Sequence, residues 1–329
     1  MTMVGLVLSI WASGAPSGAV GSGGGQGRAS VLSPSTVVRS LPSPLYGVTV
    51  DDVDDLDAIV DSAEHLPEMP ITRIYFDVRE PVSYYSAAVT ALHPVSCLMG
   101  ELLDSSDETK ISPRAYDKSV KAFVSTFGRQ VDVWEVGIEV NGDWTGRYRV
   151  VARKLTEAFD DMDTAGGRSA LTLYYNVGCG DGRAELDPLA FSRAYVPASV
   201  RDGLTYVFLS YYEDEWQGIR PDLATWTGYY RQLHRLYPNA LLGFGEIGLS
   251  KPVSPSTLSS AASLMAYYYG LALLRPRRRP PVLRRWLLLV VLRRGLAALP
   301  EPPLVGGPEL SLRDEAAALA WPAARPPRP

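Results

Sequence analysis

Between Leu45 and Gly270 the chain repeats one grammar seven times: a short apolar run rich in β-branched and aromatic residues, then a stretch of helical periodicity. The runs are Leu45–Val50, Ile71–Phe76, Val95–Met99, Val131–Glu139, Ala170–Asn176, Tyr206–Tyr212 and Leu241–Glu246. Helical patterns fall near Asp54–His65, Tyr84–Leu92, Ser112–Phe127, Arg149–Ala165, Pro188–Tyr195, Asp222–Leu236 and Ser256–Leu271. Strands that alternate with helices pair in parallel and carry the helices outside. The expected fold class is α/β, a (β/α)8 TIM barrel whose eighth strand is atypical or missing. An open doubly wound sheet is the alternative, disfavoured because VDDVDD, and not a Gly-rich phosphate loop, follows the first run. A chain of 329 residues, 46% hydrophobic, is long enough for one such core, which typically takes ~250 residues.

The flanks differ in kind from this region. Met1–Ala12 has the length of a signal-peptide apolar core but lacks a basic start, and small residues follow it; the expectation is a secreted or cell-surface protein, with the cytoplasm as alternative. Through Pro44 the chain is a Gly-, Ser- and Pro-rich lead-in, so residues 1–44, 45–270 and 271–329 are three segments. The third contains no Lys, Asn, Gln, Thr, Ile, Tyr, Phe or His. So narrow a vocabulary is what a GC-rich gene read in the wrong frame would yield. Arginines flanking WLLLVVL would otherwise suit an anionic lipid surface, but that run is shorter than the ~20 residues a bilayer span needs, so membrane contact by the tail is not expected. Arg284–Leu292 is apolar enough to serve as a surrogate eighth strand.

A net charge of −4 gives no basis for a nucleic-acid partner. Cys97 and Cys179 are read as unpaired thiols, and His65, His93 and His234 are too scattered for a zinc site, so neither disulfide framework nor metal nor cofactor is expected. Asp51, Asp52, Asp54 and Asp55 read as loop solvation and a helix cap; a calcium loop is the minority reading, because its fixed ligand spacing is missing.

Two strand ends carry the chemistry. VDVWEVGIEVNG, Val131–Gly142, is a buried strand that ends in Glu139, and ALLGFGEIG, Ala240–Gly248, ends in Glu246. A carboxylate at the mouth of a buried strand is expensive unless it is partnered or used, and a barrel places its active site at that mouth. Asp77, Asn141, Asn176, Tyr211 and Tyr212 at the same rim suit a polyhydroxylated ligand, and Trp144, Tyr175 and Trp216 suit stacking on sugar faces. Period-two alternation groups Arg73 with Tyr75 and Asp77; facing the axis, Arg73 would pair with one of the two glutamates and hold it ionised. Glu135 reads as a paired carboxylate of the barrel interior.

These motifs resemble those of clan A (4/7 superfamily) retaining glycoside hydrolases. WEVGIEVNG is similar to the fourth-strand motif, GFGEIG to the seventh, and TRIYFD, LTLYYN and LSYYEDEW fit the second, fifth and sixth strands, so the likeness spans roughly Tyr46–Gly270. The resemblance implies that Glu139 is the general acid/base and Glu246 the nucleophile in hydrolysis of a β-linked oligo- or polysaccharide by a cofactor-free monomer. It implies too that an Asn precedes the acid/base and bonds the sugar 2-hydroxyl. This chain has Ile138 there, which leaves a non-catalytic sugar-binding barrel, or an inactive product of a frameshifted gene, as the alternatives; Asn141 or Asn176 would have to supply the missing amide.

Overall fold

The computed structural model describes residues 39–42, 45–50, 52–66, 68–177, 187–248, 263–264, 266–268 and 286–288. The leading apolar segment, Cys179 and almost all of the tail lie outside them.

Helix starts are written in the sequence. Asp55, Ser112, Asp187 and Asp222 each cap a helix by accepting a backbone N–H of its first turn, and Pro113 and Pro188 follow two of those caps where a missing N–H does no harm. The helices are α1 (Leu56–Glu64), α2 (Ser86–Leu92), α3 (Pro113–Phe127), α4 (Tyr148–Thr164), α5 (Pro188–Tyr195), α6 (Ala198–Gly203) and α7 (Leu223–Leu236). Of these, α6 has only six residues, too few for a periodic pattern to be visible. Of the helix expected at Ser256–Leu271, residues 263–264 and 266–268 are described, and they are helical.

The strands are β1 (Gly47–Val50), β2 (Ile71–Tyr75), β3 (Cys97–Glu101), β4 (Val133–Gly137), β5 (Ser169–Tyr174), β6 (Tyr206–Tyr212), β7 (Leu241–Gly248) and β8 (Trp286–Leu288). They form one parallel sheet in sequence order, and among the described residues no ladder joins β8 to β1. The tail does supply the last strand: Leu242, Gly243 and Phe244 of β7 pair with Trp286, Leu287 and Leu288, inside the expected surrogate segment. Only the sixth strand keeps its expected bounds; the other six differ by one or two residues at one end or both, and β4 stops at Gly137, short of Glu139. The third begins at Cys97 rather than Val95 because the N–H groups of Val95 and Ser96 still bond Leu92 at the end of α2. The fifth stops at Tyr174 rather than Asn176, where the Asn141 side chain takes both backbone groups of Tyr174.

The sheet curls far enough for β2 and β7 to meet across its interior, with the Arg73 guanidinium 3.4 Å from Glu246. This is an incomplete (β/α)8 barrel. Its lower interior is an apolar plug in which Ile71, Met99, Val133, Ala170 and Phe208 pack together with Leu241. The opposite faces meet the helices in a larger core, where Phe76 stacks on Phe123 at 4.8 Å and Trp226 stands edge-on to Phe244 at 4.8 Å. Each large apolar side chain so buried contributes roughly 1.5–3 kcal/mol. Among the described residues no helix is long and apolar enough to cross a membrane.

Candidate active site

Above the plug the interior turns from apolar to charged. Arg73 on β2 is buried, and its guanidinium lies 3.3 Å from Glu101 on β3, 3.2 Å from Glu135 on β4 and 3.4 Å from Glu246 on β7. Its Nε also donates to Thr49 Oγ1 of β1 at 2.9 Å, and Thr172 on β5 donates to Glu135. One cation facing three carboxylates cannot neutralise them all. Burial raises Glu101 well above the usual carboxylate range and pushes Glu135 up to about 7, with Arg73 opposing both shifts. For Arg73 itself, burial works against the charge, but Glu135, Glu101 and Glu246 outweigh it and raise its proton affinity.

Strict alternation along β7 would turn Glu246 away from this cluster. Phe244 packs outward among Trp226, Tyr230 and Tyr268, so Gly245 is inward and the next residue should be outward again. The ladder with β6 slips instead: Leu209 pairs with Phe244, and Ser210 pairs with Glu246. Gly245 is the extra residue of a β-bulge, and the bulge brings Glu246 inward to Arg73. A side chain at 245 would not fit, since a Cβ there would lie 2.5 Å from Thr172 Oγ1 and 2.7 Å from Phe208 Cβ.

Glu139 is placed by a comparable device. β4 slips against β5 between Glu135 and Gly137, and Glu139 then takes a left-handed backbone with φ 48° before a tight turn closed by Gly142 N–H on Glu139 O at 2.8 Å. A non-glycine residue held there stores of order 1–3 kcal/mol, a strain that clusters at functional sites. The carboxylate is buried and accepts on both oxygens, from Ser105 Oγ at 3.0 Å and from Ser210 Oγ at 2.7 Å. Ser210 is also the register partner of Glu246, so the two glutamates flank one residue. Neither serine was among the expected site residues. Ser210 alternates with Tyr212 and was detectable from that period; Ser105 opens a three-residue 3-10 turn after β3, too short to carry such a signal.

The other expected residues separate by strand face. On β5, Thr172 and Tyr174 face the interior, and Asn176 follows in the same phase; Tyr175 faces the other way, packed against Trp226 at 4.7 Å and Tyr229 at 4.8 Å. Tyr175 is therefore corrected from sugar platform to helix packing, and Tyr174 takes its place at the mouth. Its ring stands edge-on to Trp144 at 5.0 Å and lies 6.0 Å from Trp216, and its hydroxyl donates to Glu215 at 2.9 Å. Tyr211 likewise faces the helices, donating to Ile219 O at 2.7 Å, whereas Tyr212 faces the interior, where its charge interaction with Arg73 is felt. Asn141 does not reach the mouth: it is fully buried, donates to Tyr174 O at 2.9 Å and accepts from Tyr174 N at 2.7 Å, clamping β4 to β5. Asp77 is held by Arg79, whose Nη2 lies 2.6 Å from it and keeps its carboxyl below the usual range. Ile138 is buried. Among the described residues no cluster suits a metal ion.

No protein-family model and no curated protein sequence matches this chain. Solved structures do. The family 1 β-glucosidase from Thermotoga maritima superposes with a TM-score of 0.53 at 10% identity, over 78% of this chain and 89% of that one. The β-glucosidase from Thermotoga maritima in complex with glucoimidazole gives 0.50 at 9% identity, over 76% and 89%. The chain thus shares the barrel fold of these β-glucosidases.

Proposed function

We propose that the chain is a retaining glycoside hydrolase in which Glu246 is the nucleophile and Glu139 the general acid/base. The observation that carries this reading is the convergence of the two buried carboxylates, one from the turn after β4 and one from β7, on either side of Ser210. Each is brought inward by a local irregularity of its strand. Retention needs two carboxyl groups roughly 5–5.5 Å apart, one ionised to attack and one able to give a proton. The Arg73 guanidinium lies 3.4 Å from Glu246 and is the cation beside the proposed nucleophile. Glu246 attacks the anomeric carbon while Glu139 protonates the departing oxygen; Glu139 then takes a proton from water as that water displaces Glu246 from the sugar. Trp144, Tyr174 and Trp216 form an aromatic rim on which a pyranose face can stack.

A second reading, a sugar-binding barrel without turnover, is favoured by one observation. The position that would hydrogen-bond the 2-hydroxyl is Ile138, and Asn141 is committed to the Tyr174 backbone. The test is hydrolysis of a panel of aryl β-glycosides by the full chain beside Glu246→Gln. Turnover lost in the variant supports the enzyme; sugar binding by calorimetry with no turnover in either form supports the binder.

A further inference from the structure

Trp144 is the most exposed of the three mouth aromatics, at 41%, and its indole is connected to the acid/base. Its Nε1 donates to Ser105 Oγ at 3.1 Å, and that oxygen is 3.0 Å from Glu139 Oε2. An indole N–H can only donate, so Ser105 accepts from it, and the single serine proton is directed at Glu139. The ring is also seated: a Cβ on Gly142 would lie 2.5 Å from Trp144 Cζ2, so the indole lies against bare backbone three residues after Glu139.

We propose that Trp144 is a positioning residue for Glu139, acting through Ser105. The indole fixes the serine hydroxyl so that its proton meets the carboxyl oxygen, which holds the carboxyl in place and favours its ionised form. This rests on the reading of Glu139 as acid/base. When Glu139 passes its proton to the departing oxygen, the carboxylate formed is received by a hydroxyl already oriented toward it, with no reorganisation at that moment. Among the described residues, the charged and titratable groups around Glu139 include Tyr174 on β5 with its partner Glu215, Glu246 on β7, and the Arg73, Glu101 and Glu135 cluster below. None of them is removed by a change at Trp144.

Trp144→Phe keeps a ring at the rim and deletes the N–H. The experiment is a carbon-13 NMR titration of the carboxyl groups in the full chain, with Glu139→Gln identifying the Glu139 signal. In Trp144→Phe the midpoint of that signal is expected to rise by about half to one pH unit, because the charged form loses an ordered donor. Ser105→Ala should raise it as well, and the double variant should add little to Ser105→Ala alone. The alkaline limb of kcat/KM for an aryl glycoside should move up by the same amount. An unmoved midpoint in Trp144→Phe, or a double variant whose shift is the sum of the two, overturns the proposal. Absence of turnover in the parent chain would sink the hydrolase reading instead, and the titration would still decide the connection.

Discussion

Gly245→Ala adds one methyl group at the residue that turns Glu246 inward. Its carbon would sit 2.5 Å from Thr172 Oγ1 and 2.7 Å from Phe208 Cβ, whereas ordinary contact begins at 3.4 Å. The shortfalls are 3.4 − 2.5 = 0.9 Å and 3.4 − 2.7 = 0.7 Å, on two buried strands, β5 and β6. Overpacking of this kind costs about 1–3 kcal/mol, and displacing Thr172 weakens its bond to Glu135 by about 1 kcal/mol more. The expected loss is about 2–4 kcal/mol, seen in urea unfolding as a midpoint lower by roughly 1 M for a slope near 3 kcal/mol/M. Turnover should fall more steeply than stability, because a displacement of ~1 Å at a reacting group costs about a hundredfold. Gly228→Ala on α7 is the internal control. A Cβ there meets nothing within 4 Å, so removing a helical glycine should stabilise by about 0.5–1 kcal/mol. If Gly245→Ala unfolds within about 0.5 kcal/mol of the parent, the bulge is not what orients Glu246.

Other outcomes follow from the same geometry. Glu135 is raised from 4.5 to about 7 in the fold, so the fold favours its protonated form; that stability is full below pH ~4.5 and is lost as pH rises through about 7, roughly 3 kcal/mol in all. Glu101 acts in the same direction. The urea midpoint should therefore be higher at pH 5 than at pH 8, and Glu135→Gln should reduce the difference, with Glu101 carrying the remainder; equal midpoints in the parent would contradict the buried-cluster electrostatics. Asn141→Ala strands the backbone N–H and C=O of Tyr174, and should cost about 2–4 kcal/mol by urea unfolding. Tyr174→Ala should raise KM about tenfold, while Tyr175→Ala should leave KM unchanged and lower stability by about 3–5 kcal/mol, as for other buried aromatics. The reverse pattern would reassign the two faces of β5.

The order of strands and helices was legible because each element carries its own signal: apolar β-branched runs, Asp or Ser caps, prolines at first turns. The eighth strand was legible only as an apolar stretch, since nothing in WLLLVVL sets its register with β7. At the site, Glu139 and Glu246 were visible as acids ending buried strands, and Arg73 from alternation along β2. What alternation could not show was how Glu246 faces inward two residues after an outward Phe244; that depends on a slip between strands, a property of the pair of strands and not of either one. Tyr175 and Tyr174 were exchanged because adjacent tyrosines look alike until the phase is counted from Thr172. Asn141 was misread for a different reason. An amide beside a catalytic strand end suits a sugar hydroxyl and a backbone clamp equally well, and only the partner strand decides between them.

The most direct test of the double-displacement chemistry is capture of its covalent intermediate. The full chain would be incubated with an activated 2-deoxy-2-fluoro β-glycoside, whose glycosyl–enzyme ester breaks down slowly, then digested and mapped by mass spectrometry. The predicted result is a single sugar adduct on the peptide containing Glu246, absent from Glu246→Gln. An adduct on Glu139, or hydrolysis of aryl β-glycosides that proceeds with inversion and leaves no adduct, would contradict the assignment of Glu246 as nucleophile.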